Sequence, residues 1–289
     1  MKMEPECISC SFRQSERVLN FLNLSREEKL KILQKIAKYY SEIDDNFVKT
    51  PAYYGSFVYN LINEITGIED PYKPIKDKFN KLILSMKDII ENFINKSNDR
   101  IYTALKFSSI GNQIDFGVDV PINIEEEIHL IEKIKFTIDD YKLFKEHLSN
   151  RKSLLLLADN AGEVVFDIIL LEEIHSIYPD ITLTIGVKSF PIINDITIKD
   201  ISDMKLPDYI KVIENGNRFV GTILDKSSKE FKDIFFSSDI ILSKGQANFE
   251  TLNNFHKKDI FFLFKSKCEI VARFLNVQVG DNIFWFNNK

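Results

Sequence analysis

The second half of the sequence alternates short apolar runs with amphipathic stretches, and this alternation constrains the fold more than any other feature. The apolar runs are Ser153–Ala158, Ile181–Val187, Tyr209–Glu214, Ile240–Ser243, Asp259–Phe264 and Ile283–Phe286. Helical patterns lie between them at Val164–Tyr178, Ser228–Phe236, Asn248–His256 and Cys268–Leu275. This order predicts repeated βα units, in which mostly parallel strands form one sheet and helices cover its faces.

The first half of the sequence has a helical pattern instead. Apolar residues recur at a spacing near 3.6 in Leu22–Tyr40, Ala52–Thr66, Pro74–Ile94, Ile101–Gly111 and Ile124–Leu148. Ser25 and Glu28 have the spacing of a capping box at the start of the first helix. The fold class predicted is therefore α/β, with a helical domain over residues 1–150 and a three-layer α/β/α domain with a mostly parallel sheet over residues 151–289.

Composition limits the partners and the compartment. The 289 residues include 38 Lys and Arg against 43 Asp and Glu, a net charge of −5. This balance argues against a nucleic-acid partner, because affinity for a phosphate backbone needs a basic face, but it allows one small anion in a local positive pocket. No apolar run approaches the roughly 20 residues of a membrane helix, and no signal peptide is recognisable. Three cysteines are too few for a secreted disulfide framework, so we expect a cytoplasmic protein without a membrane partner.

Polar residues follow the predicted strands at one edge of the sheet, where open parallel sheets bind their ligands. Asp159 and Asn160 follow the first run, and Asp195 follows the second. Two carboxylates and an amide oxygen are hard donors that select Mg²⁺ or Mn²⁺. We therefore expect Asp159, Asn160 and Asp195 to bind a metal ion. The alternative is that Asp159 and Asn160 only form a turn and a helix cap.

Lysines at the same edge favour an anionic substrate. Lys244 and Lys267 follow later strands, and the helix that opens near Gly162 supplies free amide groups for an anion. A metal ion, lysines and a helix terminus together are suited to phosphoryl transfer to water. Asp159 or Asp195 is expected either to orient the attacking water or to attack directly.

Two further motifs each allow more than one interpretation. Cys7 and Cys10 form half of a zinc site that Cys268 could extend, or else a redox-active or structural pair. Asn112 and Asp115, three residues apart, either mark the end of a helix or reach the sheet edge as a polar pair.

Several motifs along the chain resemble one known family, the metal-dependent damage-control phosphatases, long labelled a domain of unknown function. The motifs are Pro5-Glu6-Cys7-Ile8-Ser9-Cys10, similar to the prokaryotic branch, Thr50-Pro51, Asp70-Pro71-Tyr72, Gly111-Asn112-x-x-Asp115-Phe116-Gly117, Asp159-Asn160-Ala161-Gly162-Glu163 with Asp167, Asn194-Asp195, Gly221-Thr222, Lys244-Gly245-Gln246-Ala247-Asn248-Phe249-Glu250 and Lys267-Cys268-Glu269. They follow one another over nearly the whole chain. Departures occur at Gln246-Ala247, where glycine is frequent, and at Asn217-Arg218-Phe219-Val220, and both are expected to reshape the substrate pocket.

The resemblance implies a helical domain joined to a three-layer α/β domain and one divalent metal ion, Mg²⁺ or Mn²⁺ with Co²⁺ or Ni²⁺ as further candidates. The implied activity is hydrolysis of small phosphorylated metabolites, such as sugar phosphates or damaged cofactor intermediates. We expect Asp159, Asp195 and Lys244 to be catalytic. The expected substrate-binding residues are Asn112, Asp115, Gly162, Glu163, Asn248 and Lys267.

Two other functions compete with this hypothesis. One eukaryotic relative was proposed to be a carboxyl methyltransferase that uses S-adenosylmethionine. Here the turn after the first predicted strand carries Asp159 and Glu163, and these would repel the carboxylate of that cofactor. The second alternative is a non-catalytic module that binds a phosphometabolite, for which we expect binding without turnover.

Overall fold

A computed structural model describes residues 1–110, 131 and 133–288, and these form twelve α-helices and seven strands. The N-terminal helices are α1 (Pro5–Phe21), α2 (Arg26–Ser41), α3 (Pro51–Thr66), α4 (Lys73–Ser85), α5 (Lys87–Asn95) and α6 (Arg100–Ile110). The later elements are β1 (Phe136–Asp139), α7 (Tyr141–Asn150), β2 (Ser153–Leu157), α8 (Glu163–Ile177), β3 (Thr182–Val187), α9 (Ile198–Ser202), β4 (Ile210–Glu214), a 3₁₀ turn (Leu224–Lys226), α10 (Lys229–Ser237), β5 (Ile240–Lys244), α11 (Gln246–Leu252), β6 (Ile260–Lys265), α12 (Glu269–Leu275) and β7 (Asn282–Phe286). No helix among the described residues has both the length and the apolar character needed to cross a membrane.

The seven strands form a single sheet in the order β1-β7-β6-β5-β2-β3-β4. Neighbouring strands are parallel except for β6 and β7, which are antiparallel. The chain places β3 and β4 on one side of β2, and β5 and β6 on the other. The crevice between β2 and β5 is therefore the switch point at which sheets of this type bind ligands. The predicted α/β class with a mostly parallel sheet is confirmed.

The two faces of the sheet bury different side chains, because successive residues of a strand point in opposite directions. Leu154 and Leu156 of β2 pack in the core that includes α6, α7 and α8. Leu155 and Leu157 pack on the opposite face, in the core that includes α10, α11 and α12. Helices on both faces of one sheet make the three layers that the sequence predicts.

Helix α8 packs between the N-terminal helices and the sheet. Its residues from Glu163 to Leu171 are all buried, because the sheet covers one side of it while α4 and α6 pack on the other. A helix that is apolar on every side is a buried helix. Helices α1, α2 and α3 form a separate apolar core, which Ile192 and Val220 join from the α/β region.

Two local predictions changed in the structure. The predicted helix over Ile124–Leu148 is wrong at Phe136–Asp139, which pairs parallel to β7 and so extends the sheet. This strand lies ahead of residue 150, where the two predicted domains divide, and that division stays a prediction. The predicted helix over Pro74–Ile94 is two helices that meet at Met86. The capping box at Ser25 is confirmed.

Candidate functional site

The predicted metal ligands come from two loops that follow the neighbouring parallel strands β2 and β3. Asn160 and Asp195 form an isolated antiparallel bridge. The amide of Ile196 donates to the carbonyl of Asp159 at 2.9 Å, and the amide of Ala161 donates to the carbonyl of Asn194, also at 2.9 Å. These backbone bonds hold Asp159, Asn160 and Asp195 side by side at the carboxyl edge of the sheet.

The side-chain amide of Asn160 is oriented by two carboxylates. Its Nδ2 donates to Oδ2 of Asp159 at 3.0 Å and to Oε1 of Glu163 at 2.7 Å. Both protons of the amide nitrogen are thereby used, and the remaining polar atom of this side chain is the oxygen Oδ1. An oxygen held in this way is a suitable ligand for a hard cation.

The carboxylates of the site share an environment that disfavours their charge. Burial raises the pKa of Asp195 to about 7, with Lys188 opposing this shift and Asp159 adding to it. Burial raises the pKa of Glu163 to about 8, and the carboxylate of Asp159 adds to that shift. Burial also raises the pKa of Asp159, although Lys267, Lys244 and Lys188 act against it. A divalent cation between these groups would stabilise their ionised forms.

Gly245, directly after β5, lets the backbone approach Asp159. Its φ of +80° and ψ of 155° fall in a region that is essentially restricted to glycine. A Cβ at this position would lie 2.6 Å from Oδ1 of Asp159 and closer still to Oδ2. Glycine at position 245 thus leaves room for the carboxylate of a predicted metal ligand.

Lys188 is a further buried cation of the site, in addition to the residues predicted from the sequence. It follows β3, and its Nζ lies 3.6 Å from Oδ2 of Asp195. The same Nζ donates to the carbonyls of Phe219 and Gly221, so the loop after β4 fixes its position. Burial lowers the pKa of Lys188, while the two neighbouring aspartates act to raise it. Its position directly after a predicted strand is the feature of the sequence that could have identified it as a site residue.

Lys244 lies inside the protein rather than at its surface. Its Nζ donates to Oδ1 of Asp167 at 2.6 Å and to the carbonyl of Ser108 at 2.9 Å, and Oε2 of Glu163 is 3.8 Å away. The side chain is fully buried, on the α8 side of the sheet. Its predicted role in catalysis stays a prediction, and Asp167 is its immediate counterion.

Besides Glu163, which accepts a hydrogen bond from Asn160, two more of the predicted substrate-binding residues are used in internal hydrogen bonds. Asn248 is buried; its Oδ1 accepts from the hydroxyl of Thr222 at 2.8 Å, and its Nδ2 donates to the carbonyl of Lys244 at 2.8 Å. The amide of Gly162 donates to Oδ1 of Asn80 at 2.6 Å. Substrate contacts by these two residues therefore stay predictions.

Lys267 differs from Lys244 because it is exposed. Its backbone amide donates to Oε1 of Gln246 at 2.7 Å, which ties it to the residue after Gly245. Its charge acts to lower the pKa of both Asp159 and Glu163, so it contributes to the positive charge around these two carboxylates. Asn112 and Asp115, the predicted contribution of the helical half, lie outside the described residues.

The donor set fits a magnesium-type ion better than a structural metal ion. The described part of the chain contains no group of three or more His, Cys, Asp or Glu side chains arranged to hold a metal ion. Asp159 and Asp195 are two carboxylates, and Asn160 adds an amide oxygen. Mg²⁺ typically takes one or two carboxylates, retains water and binds the phosphate of its substrate.

The comparison with family models decides the classification. Residues 3–283 match the damage-control phosphatase ARMT1-like domain. The chain belongs to the damage-control phosphatase family. The motifs that carried the resemblance are distributed over the same span, from Pro5 to Glu269.

Individual relatives in this family cover almost the whole chain. A damage-control phosphatase from Pyrococcus horikoshii is 36% identical over 285 residues, covering 97% of this chain and 96% of the relative. A damage-control phosphatase from Archaeoglobus fulgidus is 32% identical over 290 residues, covering 98% of each chain. The crystal structure of a DUF89 family protein from P. horikoshii superposes with a TM-score of 0.92 at 35% identity, covering 100% of both chains.

Proposed function

We propose that this member of the damage-control phosphatase family is a divalent-metal-dependent phosphatase that hydrolyses small phosphorylated metabolites, such as sugar phosphates or damaged cofactor intermediates. The observation that carries the proposal is the bridge between Asn160 and Asp195, which brings the loops after β2 and β3 together. With Asp159, these residues offer three oxygen donors at the switch point of the sheet.

The proposed ligands of the metal ion are Asp159, Asn160 and Asp195. Mg²⁺ or Mn²⁺ is the preferred ion, and Co²⁺ or Ni²⁺ can replace it in the assay. When bound, such an ion neutralises phosphate charge and activates water. The raised pKa values of Asp159 and Asp195 support the proposal, since a cation would offset the cost of ionising two buried carboxylates.

The phosphate group of the substrate needs a cation that it can reach from solvent. Lys267 is exposed and its charge acts on Asp159 and Glu163, whereas Lys244 is fully buried against Asp167. We therefore assign direct contact with the phosphate to Lys267. Lys244 is assigned the role of a buried positive charge that pairs with Asp167 and acts to lower the pKa of Glu163.

The carboxylates of Asp159 and Asp195 are proposed to accept hydrogen bonds from the attacking water and orient it. Lys188 keeps Asp195 in place from the other side, since its Nζ is held by two backbone carbonyls 3.6 Å from the Asp195 carboxylate. Positioned donors and acceptors of this kind lower the barrier because they need no reorganisation during the reaction.

The proposal is tested with metal-free protein to which Mg²⁺, Mn²⁺, Co²⁺ or Ni²⁺ is added singly. Phosphate release is measured from p-nitrophenyl phosphate and from a panel of sugar phosphates. Turnover should require the metal ion, and Asp159→Ala and Asp195→Ala should each reduce it by roughly 100-fold or more. Asp233→Ala is the matched control, since this aspartate is exposed on α10 and pairs only locally with Lys229 among the contacts described.

The outcomes separate the rival functions. Full activity in both Asp159→Ala and Asp195→Ala would end the metal-site proposal. Binding of a phosphorylated metabolite without turnover under every metal would favour the non-catalytic binding module. Calorimetric binding of S-adenosylmethionine, together with no phosphate release, would favour the methyltransferase.

A further inference from the structure

Helix α4 buries two polar side chains within an otherwise apolar stripe. Its buried residues are Lys76, Phe79, Asn80 and Ile83, which recur at the spacing of one helix face. The side chain of Lys76 is 0% exposed. A lysine is almost never fully buried unless it is paired with an opposite charge. The partners of Lys76 therefore indicate its structural role.

Lys76 binds the segment that follows Asp195. Its Nζ lies 2.6 Å from Oδ2 of Asp200 and 2.7 Å from Oδ2 of Asp70. The same oxygen of Asp200 accepts from the amide of Thr197 at 3.1 Å and from its hydroxyl at 2.7 Å. Thr197 is two residues after Asp195, so the ion pair restrains the loop that carries this proposed ligand.

Asn80, one helical turn further along α4, binds the other loop of the site. Its Oδ1 accepts from the amide of Gly162 at 2.6 Å. Phe79 packs against the same glycine, whose missing side chain leaves room for it: a Cβ on Gly162 would lie 3.1 Å from that of Phe79. Gly162 is two residues after Asn160, and this contact therefore restrains the loop that carries Asp159 and Asn160.

We propose that α4 is a positioning element for the metal site, in which Lys76 fixes the Asp195 loop and Asn80 fixes the Asp159–Asn160 loop. The inference rests on the proposed function, because it concerns the site assigned there to the metal ion. Lys76 and Asn80 lie on the same helix, and each contacts a different one of the two loops. Their common effect is to keep the two ligand-bearing loops at a fixed separation, and groups that orient metal ligands contribute strongly to metal affinity.

The positioning itself is measured by hydrogen–deuterium exchange of the metal-free protein. Lys76→Met should increase exchange in residues 188–200, and Asn80→Leu should increase it in residues 158–163, each by roughly fivefold to tenfold. Asn80→Asp keeps an oxygen acceptor for the amide of Gly162 and should restore most of the lost protection. Each variant should leave the loop bound by the other residue close to the wild type.

The consequence for the site is measured with Mn²⁺ alone, by electron paramagnetic resonance of the free ion during titration. Lys76→Met and Asn80→Leu should each weaken Mn²⁺ binding by about 10- to 100-fold. Lys73→Met is the matched control: Lys73 lies on the same helix and contacts Asp200 at 3.3 Å, but its side chain is 43% exposed. It should change neither exchange nor Mn²⁺ affinity by more than about twofold.

The outcomes decide the proposal in each case. It is overturned if folded Lys76→Met and Asn80→Leu keep both exchange and Mn²⁺ affinity within about twofold of the wild type. It is also overturned if Lys73→Met has the same effects, or if exchange rises evenly throughout the chain. If Lys76→Met does not fold, the comparison of Asn80→Leu with Asn80→Asp decides. If the wild type binds no Mn²⁺, the proposed function fails, while the exchange measurements still decide whether α4 positions the two loops.

Discussion

The backbone of Gly245 lies directly against the carboxylate of Asp159, so that any side chain at position 245 would overlap it. The two residues belong to different loops, which follow β5 and β2 at the switch point of the sheet. Gly245 also donates its amide to the carbonyl of Leu263 at 3.0 Å, which prevents it from moving away easily. The position of the Asp159 carboxylate therefore depends on the absence of a Cβ.

Gly245→Ala should remove phosphatase activity and metal binding together. Alanine in this backbone conformation, which is essentially restricted to glycine, costs about 1–3 kcal/mol of strain. Its Cβ would also displace the carboxylate of Asp159. Gly67→Ala is the control, because Gly67 also has a positive φ of +69° but has open space where the Cβ would be. It should lower the free energy of unfolding by about 1–2 kcal/mol and leave turnover unchanged. Equal activity of the two variants would contradict the prediction.

Lys267→Met and Lys244→Met should have different effects, although both remove one positive charge near the site. Lys267 is exposed, so its loss should raise KM for a phosphate ester by roughly 10- to 100-fold with little change in stability. Lys244→Met leaves Asp167 buried without its cation and should destabilise the fold by about 3–5 kcal/mol. The measurements are steady-state kinetics and urea unfolding, with Lys199→Met on the exposed side of α9 as the control. A large loss of stability in Lys267→Met would contradict this division of roles.

The convergence of Asp159, Asn160 and Asp195 was predictable, because the carboxyl ends of parallel strands share one edge of a sheet. The burial of Lys244 was not predictable, because the apolar run ends at Ser243 and Lys244 is then expected just after the strand. The structure makes it the last residue of β5, and strand alternation then puts it on the same face as Leu242, toward α8. Strand boundaries are set by pairing with neighbouring strands, which a single run of residues does not specify.

The role of α4 was also not predicted from the sequence. Lys76 and Asn80 fall on the apolar face of the helix, and this was the available signal. Their partners Asp200 and Gly162 are 124 and 82 residues away along the chain. A local pattern shows that a polar residue lies on a buried face but does not show which distant group it binds. Strand β1 was missed for a similar reason, since Phe136–Asp139 becomes a strand only through its pairing with β7.

The ion pair between Lys76 and Asp200 should make stability depend on pH in the acid range. Burial acts to raise the pKa of Asp200, but hydrogen bonds from Lys76 and Thr197 outweigh it, and the net effect lowers this pKa. The stabilisation is therefore complete above the ordinary aspartate pKa of about 4 and is lost as the pH falls through the lower value of the folded state. Urea unfolding of the wild type and Asp200→Asn should show a larger difference near pH 6 than near pH 3. A difference that is equal at both pH values would count against this linkage.

The thiol of Cys7 should be unreactive at neutral pH. Cys7 lies half-buried in the first turn of α1, and burial raises its pKa to about 11, although a hydrogen bond with the backbone at Glu4 acts to lower it. Because the thiolate is the nucleophile, iodoacetamide at pH 7.5 should alkylate Cys7 roughly 100-fold more slowly than N-acetylcysteine. The rate should rise steadily as the pH approaches 11. Mass spectrometry of the Cys10→Ser, Cys268→Ser double variant isolates this thiol. Alkylation as fast as that of N-acetylcysteine would mean that Cys7 is an activated nucleophile, and the metal site would then have a competitor for the chemistry of this protein.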